Sequence, residues 1–374
     1  MKLPLRVGLV GARRSVSTVA GFRACPETVL AAVCDIAPEA AAATAAELGI
    51  EAIFTDYEQM LDSGRVDVVV IATPMQFHAP QSIAALRRDV HVLSEVTAAV
   101  SLAECAELVR AARGSRATYM MAENYCYMKP NVLVGAMVRQ GLFGRPYFGE
   151  GEYTHELASL HFTATGEPTW RHTWQVGRRG CTYPTHSLGP LLQWFDDRVV
   201  SVSCLGSGRW TPPPRRMDDV TVMSCQLASG GLVTIRNDMI SKRPHCMTYY
   251  ALQGTQGCYE ASRGFDASDK VWLEARCDGP EQWRPLHEFE DEFLPAIWRN
   301  PPEAARRAGH GGGDYFVIRD FVDAILQSTT PPIDIYRALD FTVPGLISEE
   351  SIERGGAPRL VPDFRAWDGC EIPA

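Results

Sequence analysis

Tyr183 and His186 stand three positions apart in the segment YPTH, where their types and spacing could carry out proton transfer. Residues three apart share one face of a helix, so one side chain could take a proton from a substrate hydroxyl while the other orients that substrate. A single histidine in a helix is more often a packing residue than a catalytic one, and this alternative stays open on spacing alone. The pair therefore indicates acid–base chemistry if a helix begins at this segment.

A glycine turn near the N-terminus indicates dinucleotide binding. The apolar stretch LRVGLVG ends at Gly11, and Asp35 ends the next such stretch, where a carboxylate can bind ribose hydroxyls and disfavour a 2′-phosphate. The second and third glycines of the usual fingerprint are replaced by Arg13 and Val16. Either Arg13 or Arg14 could meet a pyrophosphate by charge instead of by close backbone approach. The alternative is a solvated turn whose cofactor site has been lost.

The elements that must position these residues alternate along the first third of the chain. Short apolar runs, typical of buried parallel strands, alternate with helical patterns about every 20–25 residues. The predicted strands are LRVGLVG, TVLAAVCD, RVDVVVIATP, VHVLSEV and TYMMAENYCY, and the predicted helices are SVSTVAGFRAC, PEAAAATAAELG, HAPQSIAALRRD and SLAECAELVRAARG. This order predicts a doubly wound parallel sheet in a domain over residues 1–127.

The alternation stops near residue 128, and strand patterns predominate beyond it. After the helical stretch PNVLVGAMVRQGLFG, the predicted strands are PYFGEGEYTHEL, VVSVSCLGS, DVTVMSCQLASGGLVTIRNDMI, MTYYALQGTQGCYE and KVWLEARC. Helices are predicted at YPTHSLGPLLQWFDD and GGGDYFVIRDFVDAILQ, and a loop over residues 276–312. We therefore expect a second, mostly antiparallel domain over residues 128–374.

The composition and charge of the chain favour a globular protein over a nucleic-acid-binding or membrane-spanning one. A chain of 374 residues favours two domains, and 46% hydrophobic with 22% charged residues is typical of a globular protein. The net charge of −9 provides no basic field for a nucleic acid or an anionic membrane. No stretch approaches the roughly 20 apolar residues of a membrane span. The first apolar stretch is interrupted by Pro4 and Arg6, unlike a signal peptide, so a cytoplasmic enzyme is expected.

The cysteines and histidines do not form metal-binding patterns. The 11 cysteines are odd in number and contain no CxxC pair, so we expect reduced thiols. His155, His161 and His172 lack HxH or HExxH spacing and have no accompanying carboxylate cluster. We therefore expect no metal site.

Three further segments connect the chain to a known family. VVVIATPMQFH, HVLSEVTAAVSLAEC and AENYCYMKPNVLVGAMVRQGLFG, spaced as they are, resemble the Gfo/Idh/MocA oxidoreductases, and the resemblance covers nearly the whole chain. That family joins an N-terminal Rossmann domain to a C-terminal α/β domain with an open sheet. Many members carry Glu-Lys-Pro after the fourth strand, where the lysine assists proton transfer. Here the triplet is Glu95-Val96-Thr97, so that lysine is absent.

In this respect the chain is similar to one branch of the family, glycoside hydrolase family 109, which retains NAD and reads Glu-Val-Pro at this position. The branch motifs EN-x-C-Y, YPTH-x-LGP, GHGG-x-D and PDF have counterparts at residues 123–127, 183–190, 309–314 and 362–364. The YPTH-x-LGP block is the most specific of these.

The resemblance implies two groups of site residues. Together with the turn residues, the implied NAD site comprises Gly11, Arg13, Arg14, Ser15, Asp35, Thr73, Met75, Gln76, Phe77, His78, Glu95, Val96 and Asn124. The implied sugar site comprises Glu123, Tyr153, Arg171, Tyr183, Pro184, Thr185 and His186, among which Tyr153, Tyr183 and His186 are the candidate catalytic acids and bases. Structural alternatives stay open for three of these residues. His78 could pack beneath the cofactor, Tyr153 could be an ordinary strand residue of the sheet, and Glu123 could hold loop backbone.

The function that these expectations favour is oxidation of a ring hydroxyl, C3 by the resemblance, in a pyranoside or related sugar by an NAD(H)-dependent enzyme. A redox-neutral course would oxidise the sugar, allow elimination or epimerisation, and reduce it again. One alternative is a sugar or cyclitol dehydrogenase that exchanges NAD(H) at each turnover, and another is a cofactor-less sugar-binding or scaffold protein. The expected partner is a small sugar or glycoside, and the resemblance implies a homodimer or homotetramer.

Overall fold

The structure is a computed structural model that describes residues 3–211, 215–244, 246–263 and 267–370. None of the helices in these ranges is long and apolar enough to cross a membrane. The same ranges contain no group of three or more His, Cys, Asp or Glu side chains that could hold a metal ion.

The described residues form two compact units. Unit 1 comprises residues 3–128, 301–339 and 364–370, and unit 2 comprises the described parts of 129–300 and 340–363. Two late segments of the chain thus belong to unit 1, in addition to the N-terminal residues that the sequence assigns to the first domain.

Unit 1 contains a six-stranded parallel sheet. Its strands are β1 (Leu5–Val10), β2 (Thr28–Cys34), β3 (Ala52–Phe54), β4 (Val68–Ile71), β5 (His91–Ser94) and β6 (Tyr119–Met121). They lie in the order β3-β2-β1-β4-β5-β6, which reverses direction between β1 and β4. This is the order of a Rossmann sheet, so the predicted doubly wound fold is confirmed.

Helices cover the connections between these strands. They are α1 (Ala12–Ser15), α2 (Val19–Arg23), α3 (Pro38–Leu48), α4 (Tyr57–Asp62), α5 (His78–Leu86) and α6 (Leu102–Gly114). The run predicted as one helix after Gly11 is instead α1, a 3₁₀ turn and α2. The break falls where Ser17 Oγ donates to Arg14 O at 3.0 Å and Thr18 Oγ1 to Ser15 O at 2.7 Å, because such side-chain bonds compete with the helical backbone ladder.

Unit 2 is built on a nine-stranded sheet. Its strands are β7 (Pro146–Thr154), β8 (Val199–Gly206), β9 (Val220–Leu227), β10 (Leu232–Asp238), β11 (Cys246–Gly254), β12 (Gly257–Glu260), β13 (Lys270–Leu273), β14 (Arg284–Pro285) and β15 (Arg359–Leu360). The order is β14-β13-β12-β11-β7-β10-β9-β8-β15. Within the described strands of this sheet, only β7 and β10 pair in parallel, which confirms a mostly antiparallel sheet.

One helix of unit 2 lies against the centre of this sheet. The helices are α7 (Lys129–Arg139), α8 (Trp170–Thr173), α9 (Thr185–Phe195), α10 (Glu290–Phe293) and α11 (Ala296–Arg299). Gly149, Gly151 and Tyr153 alternate onto one face of β7. A Cβ at Gly151 would lie 2.7 Å from Ser187 O, so glycine is what allows α9 to approach the strand this closely.

Three later helices complete the structure: α12 (Glu303–Arg307), α13 (Gly313–Gln327) and α14 (Ile335–Glu353). Within unit 1, α13 packs on α2 at Gly21, where any side chain would overlap Ile318. The loop predicted over residues 276–312 is correct only in part, since β14 and three short helices fall in it. The long helix α14 is absent from the sequence prediction.

Candidate functional site

The turn after β1 has the backbone conformation of a dinucleotide-binding turn. Gly11 has φ 86° and ψ 79°, in the left-handed region that favours glycine. A Cβ there would lie 2.6 Å from the carbonyl oxygen of Ala72. The N–H of Gly11 donates to Cys34 O at 2.9 Å, which ties the turn to the end of β2. The remaining fingerprint glycine therefore keeps its structural role.

The replacements for the other two glycines lie on the outside of the turn. Arg13 and Val16 are exposed, whereas Ala12 and Ser15 are buried beneath them. The interior of the turn is therefore formed by small residues even though the usual glycine pattern is missing.

Asp35 is fixed at the end of β2 by two backbone donors. Its Oδ2 accepts from the N–H of Ala12 at 2.8 Å, and its Oδ1 accepts from the N–H of Ala37 at 2.9 Å. Each carboxylate oxygen keeps a further lone pair for another donor. Asp35 thus holds the turn in place and fits the predicted role of binding ribose hydroxyls.

Arg14 forms an ion pair with Glu95. Its Nε lies 2.7 Å and its Nη2 2.6 Å from the same oxygen, Oε1 of Glu95. The arginine side chain is 53% exposed and the glutamate side chain 15%. Glu95 thus compensates the charge of Arg14, and contact of Arg13 or Arg14 with a pyrophosphate stays a prediction.

The connection from β4 to α5 carries the next group of predicted cofactor residues. His78 is buried, with Nδ1 3.0 Å from Thr97 O and Nε2 2.8 Å from Thr73 O. Burial lowers the pKa of His78 below its usual value, and a neutral imidazole can donate to only one of the two carbonyls. These two contacts agree with the alternative in which His78 is a packing residue, since they fix the loops after β4 and β5.

The other predicted residues around these loops differ in exposure. Met75 and Val96 are buried, Phe77 is exposed, and the hydroxyl of Thr73 donates to Gln81 Oε1 at 2.6 Å.

A polar network that the sequence analysis missed surrounds Asn124. Nδ1 of His310 lies 3.0 Å from both carboxylate oxygens of Asp314, and Nδ2 of Asn124 lies 3.2 Å from Asp314 Oδ1. The hydrogen bond to Asp314 raises the pKa of His310 above its usual value. Positive φ angles at His310, Gly311 and Gly312 turn the backbone at the start of α13. The GHGG-x-D block was the available signal, but it gave no role to the histidine or the aspartate.

Three predicted cofactor residues carry buried polar atoms that are open to a ligand. Ser15 Oγ, Gln76 Oε1 and Asn124 Oδ1 have no hydrogen-bond partner within the described ranges. Buried polar atoms of this kind cost free energy unless a partner is supplied. Together with the cradle at Gly11, they show that the residues present fit a dinucleotide.

Unit 2 brings the three predicted catalytic side chains together. The ring centroids of Tyr153 lie 5.3 Å from Tyr183 and 5.4 Å from His186, and those of Tyr183 and His186 lie 4.9 Å apart. His186 is in the first turn of α9, and Tyr250 on β11 donates its hydroxyl proton to the His186 carbonyl at 2.5 Å. The close approach of α9 to β7 thus forms one aromatic and imidazole cluster.

His155 joins this cluster although the sequence analysis gave it no role. The hydroxyl of Tyr153 lies 2.8 Å from Nδ1 of His155, and the two rings meet edge to face with centroids 5.5 Å apart. A phenol held against an imidazole can pass its proton to that imidazole. The hydroxyl of Thr185 is buried beside Pro184 with no partner in the described structure, so it is available to a ligand.

The two remaining predicted sugar-site residues, Arg171 and Glu123, make contacts of other kinds. Arg171, on α8, stacks its guanidinium 4.6 Å from the ring of Trp170, which in turn lies 6.2 Å from Trp174. Glu123 belongs to unit 1 and is fully buried, and its Oε1 accepts from the N–H of Tyr125 at 3.1 Å. Holding loop backbone, the structural alternative for Glu123, is therefore a role that it does perform.

Family models match both parts of the chain. Residues 5–123 match the oxidoreductase family with an NAD-binding Rossmann fold. Residues 127–205 and 215–368 match the C-terminal domain of glycosyl hydrolase 109. The prediction of an NAD-binding domain is thereby confirmed.

Individual relatives agree with these matches. A glycosyl hydrolase family 109 protein of Saccharopolyspora erythraea is 30% identical over 96% of this chain and 83% of its own length. An alpha-N-acetylgalactosaminidase of Tannerella forsythia is 29% identical over 83% of this chain and 72% of its own length. A levoglucosan dehydrogenase solved with NADH and levoglucosan has a TM-score of 0.80 at 21% identity, covering 96% of this chain and 99% of that one. This last likeness establishes the fold.

Proposed function

Because the chain belongs to glycosyl hydrolase family 109, within the Gfo/Idh/MocA oxidoreductases, we propose that it is an NAD-dependent enzyme that cleaves a pyranoside without net redox change. The observation that carries this proposal is the cluster of Tyr153, Tyr183 and His186, with ring centroids 4.9–5.4 Å apart. It offers more than one acid or base in one place, which an oxidation followed by an elimination requires.

Cofactor binding is assigned to unit 1. NAD, when bound, accepts a hydride from the carbon that carries the oxidised hydroxyl and later returns it. Gly11 and Asp35 shape and hold the turn, and Ser15, Gln76 and Asn124 supply buried polar atoms. The proposed set also includes Arg13, Arg14, Thr73, Met75, Phe77, His78, Glu95 and Val96.

Proton transfer is assigned to unit 2. We assign to His186, oriented by Tyr183, the removal of the hydroxyl proton at the carbon being oxidised, which the family resemblance makes C3. The resulting ketone acidifies the neighbouring C–H, and Tyr153 with His155 takes that proton. The glycosidic oxygen leaves with its bonding electrons and receives a proton. Water then adds at the vacated carbon, so that the net change, once the ketone is reduced again, would be a hydrolysis.

Substrate binding in this proposal uses the other predicted sugar-site residues. Pro184 and Thr185 begin α9, and the buried hydroxyl of Thr185 can bond a sugar hydroxyl. Arg171 with its stacked Trp170 offers a surface for a sugar ring, and Glu123 is included as a further candidate.

The first experiment measures cofactor and chemistry in the purified protein. Mass spectrometry after denaturation should detect near-stoichiometric NAD+ or NADH rather than the phosphorylated forms. The protein is then given p-nitrophenyl N-acetyl-α-D-galactosaminide, the substrate type named by the Tannerella forsythia relative, and a panel of other aryl pyranosides in D2O without added NAD+. Hydrolysis with deuterium at the carbon next to the oxidised one is expected.

Other outcomes would contradict the proposal. Dependence on added NAD+, with NADH accumulating at 340 nm, would identify an ordinary dehydrogenase. Product without deuterium would exclude the elimination. His186→Ala and Tyr183→Phe should each lower turnover by about two orders of magnitude, and full activity in both would remove them from the acid–base assignment.

We also propose a homodimer or homotetramer. Leu205 on β8 lies opposite Val222 on β9, and both are exposed, as is Leu360 on β15. Neighbouring exposed apolar side chains on a sheet favour burial against another surface. Light scattering should give a mass of two or four chains, and a monomer at every concentration would contradict this.

A further inference from the structure

The Arg14–Glu95 ion pair joins two loops of unit 1 that the sheet keeps apart. Arg14 lies in α1, after β1, and Glu95 directly follows β5, while β4 lies between these two strands. Neighbouring strands are about 4.8 Å apart, so the two strand ends are separated by roughly 10 Å. Two of the three guanidinium nitrogens, Nη2 and Nε, lie 2.6 and 2.7 Å from the same carboxylate oxygen. The pair therefore crosses the carboxyl end of β4.

This crossing lies beside the cofactor crevice. In a sheet of this order a dinucleotide binds where the strand order reverses, outside the carboxyl ends of β1 and β4. Arg14 and Glu95 also act electrostatically on His310, the arginine lowering its pKa and the glutamate raising it, so the polar network of Asn124 lies nearby. An ion pair in this position can close over a ligand that contacts the turn at Gly11.

We propose that Arg14 and Glu95 form a clasp that retains NAD(H) between turnovers, an inference that rests on the proposed function because a recycled cofactor must stay bound. The usual fingerprint holds pyrophosphate by close backbone approach at its second glycine, and here that position is Arg13. A salt bridge across the crevice can retain the cofactor without that backbone contact. It slows escape of the cofactor without needing a phosphate contact from either side chain.

The ion pair should contribute little to the stability of unit 1. Arg14 is 53% exposed, and ion pairs this accessible contribute little to folding stability because solvent screens them. Removing the arginine should therefore leave unit 1 folded while cofactor release becomes faster. Arg65, exposed at the amino end of β4 and outside the proposed cofactor set, is a matched control that removes one positive charge without breaking the ion pair.

The test measures cofactor dissociation and needs no substrate. Wild-type protein, Arg14→Ala and Arg65→Ala are loaded with isotope-labelled NAD+ and chased with excess unlabelled NAD+, and the retained label is followed over time. Loss of the clasp should raise the dissociation rate constant about fivefold, the upper range for an ion pair that solvent reaches. Arg65→Ala should change the rate constant less than about twofold, and thermal unfolding of all three proteins should be alike.

A charge-reversed pair separates a clasp from a direct contact. In Arg14→Glu/Glu95→Arg the salt bridge can form again, so slow dissociation should return compared with Arg14→Glu alone. Release from Arg14→Ala no faster than from Arg65→Ala would refute the clasp. Release from the double variant as fast as from Arg14→Glu alone would also refute it. Wild-type protein that neither carries nor binds NAD(H) would overturn the proposed function itself, and with it the clasp.

Discussion

Replacing Gly151 by alanine inserts one methyl group between β7 and α9. The new Cβ would lie 2.7 Å from Ser187 O and 3.1 Å from Leu191 Cδ1. Ordinary contact begins at 3.4 Å, so the backbone of α9 must move about 0.7 Å away from the strand. His186 lies in the first turn of that helix, and its ring would move away from Tyr153, now 5.4 Å between centroids.

The displacement predicts two measurable effects. Forcing a methyl group into a packed interface lowers the free energy of unfolding by about 1–3 kcal/mol, which urea denaturation can measure. Misplacement of catalytic groups by about 1 Å can cost on the order of a hundredfold in rate, so turnover should fall by roughly ten- to a hundredfold. The NAD(H) content, assigned to unit 1, should stay at the wild-type value.

Gly177→Ala is the matched control, since nothing lies within 4 Å of its added Cβ. This variant should keep wild-type turnover and stability. Wild-type turnover in Gly151→Ala, with the loss of stability present, would show that the spacing of α9 and β7 does not set the catalytic geometry. Unchanged stability would refute the packing argument itself.

Three further predictions concern the turn and the two histidines that sequence reasoning missed. Gly11→Ala should abolish co-purification of NAD(H), measured by mass spectrometry, because the left-handed conformation alone costs about 1–2 kcal/mol and the Cβ would overlap Ala72 O. Asp314→Asn should lower the pKa of His310, measured by NMR titration. The pKa of His310 in the folded protein lies above its unfolded value of about 6.5, so the His310–Asp314 pair stabilises the fold fully below pH 6.5. This stabilisation is lost as the pH rises through the folded pKa. The same pH dependence of stability in wild type and Asp314→Asn would contradict the prediction. His155→Gln should lower kcat about tenfold or more at nearly constant KM and alter the pH profile, whereas a uniform rise in KM would indicate a role in binding only.

Much of both sheets could be predicted because buried strands are short apolar runs bounded by turn residues. The strand β3 could not, since Ala52–Phe54 is too short to show a period. The helix α14 was hidden by Pro344 and Gly345, which normally end helices. A Cβ at Gly345 would lie 2.7 Å from Pro184 Cγ, so close packing against the YPTH segment favours glycine there. Tertiary packing, which a local pattern does not contain, decided this element.

The candidate site likewise contains residues that the sequence predicts and residues that only the fold brings together. The spacing of Tyr183 and His186 predicted a shared helix face if a helix began at that segment. The helix α9 begins only at Thr185, after Tyr183, but the rings of Tyr183 and His186 still lie together with that of Tyr153. Asn124 and His310 are 186 positions apart and meet only through folding, so no local pattern pairs them. The role proposed for His155 rests on its contact with the hydroxyl of Tyr153, which the structure provides.

The division of unit 1 into separate stretches of chain has a consequence for synthesis. Asn124 is made before unit 2, but His310 and Asp314, which complete its network, follow residues 129–300. At roughly 5–20 residues per second, ribosomes need about 10–35 s to make the intervening segment. During that time the Rossmann strands can pair, but α13 has not yet covered α2 at Gly21. A nascent chain should therefore acquire cofactor affinity late in translation, after strands β7 to β14 of unit 2 have been made.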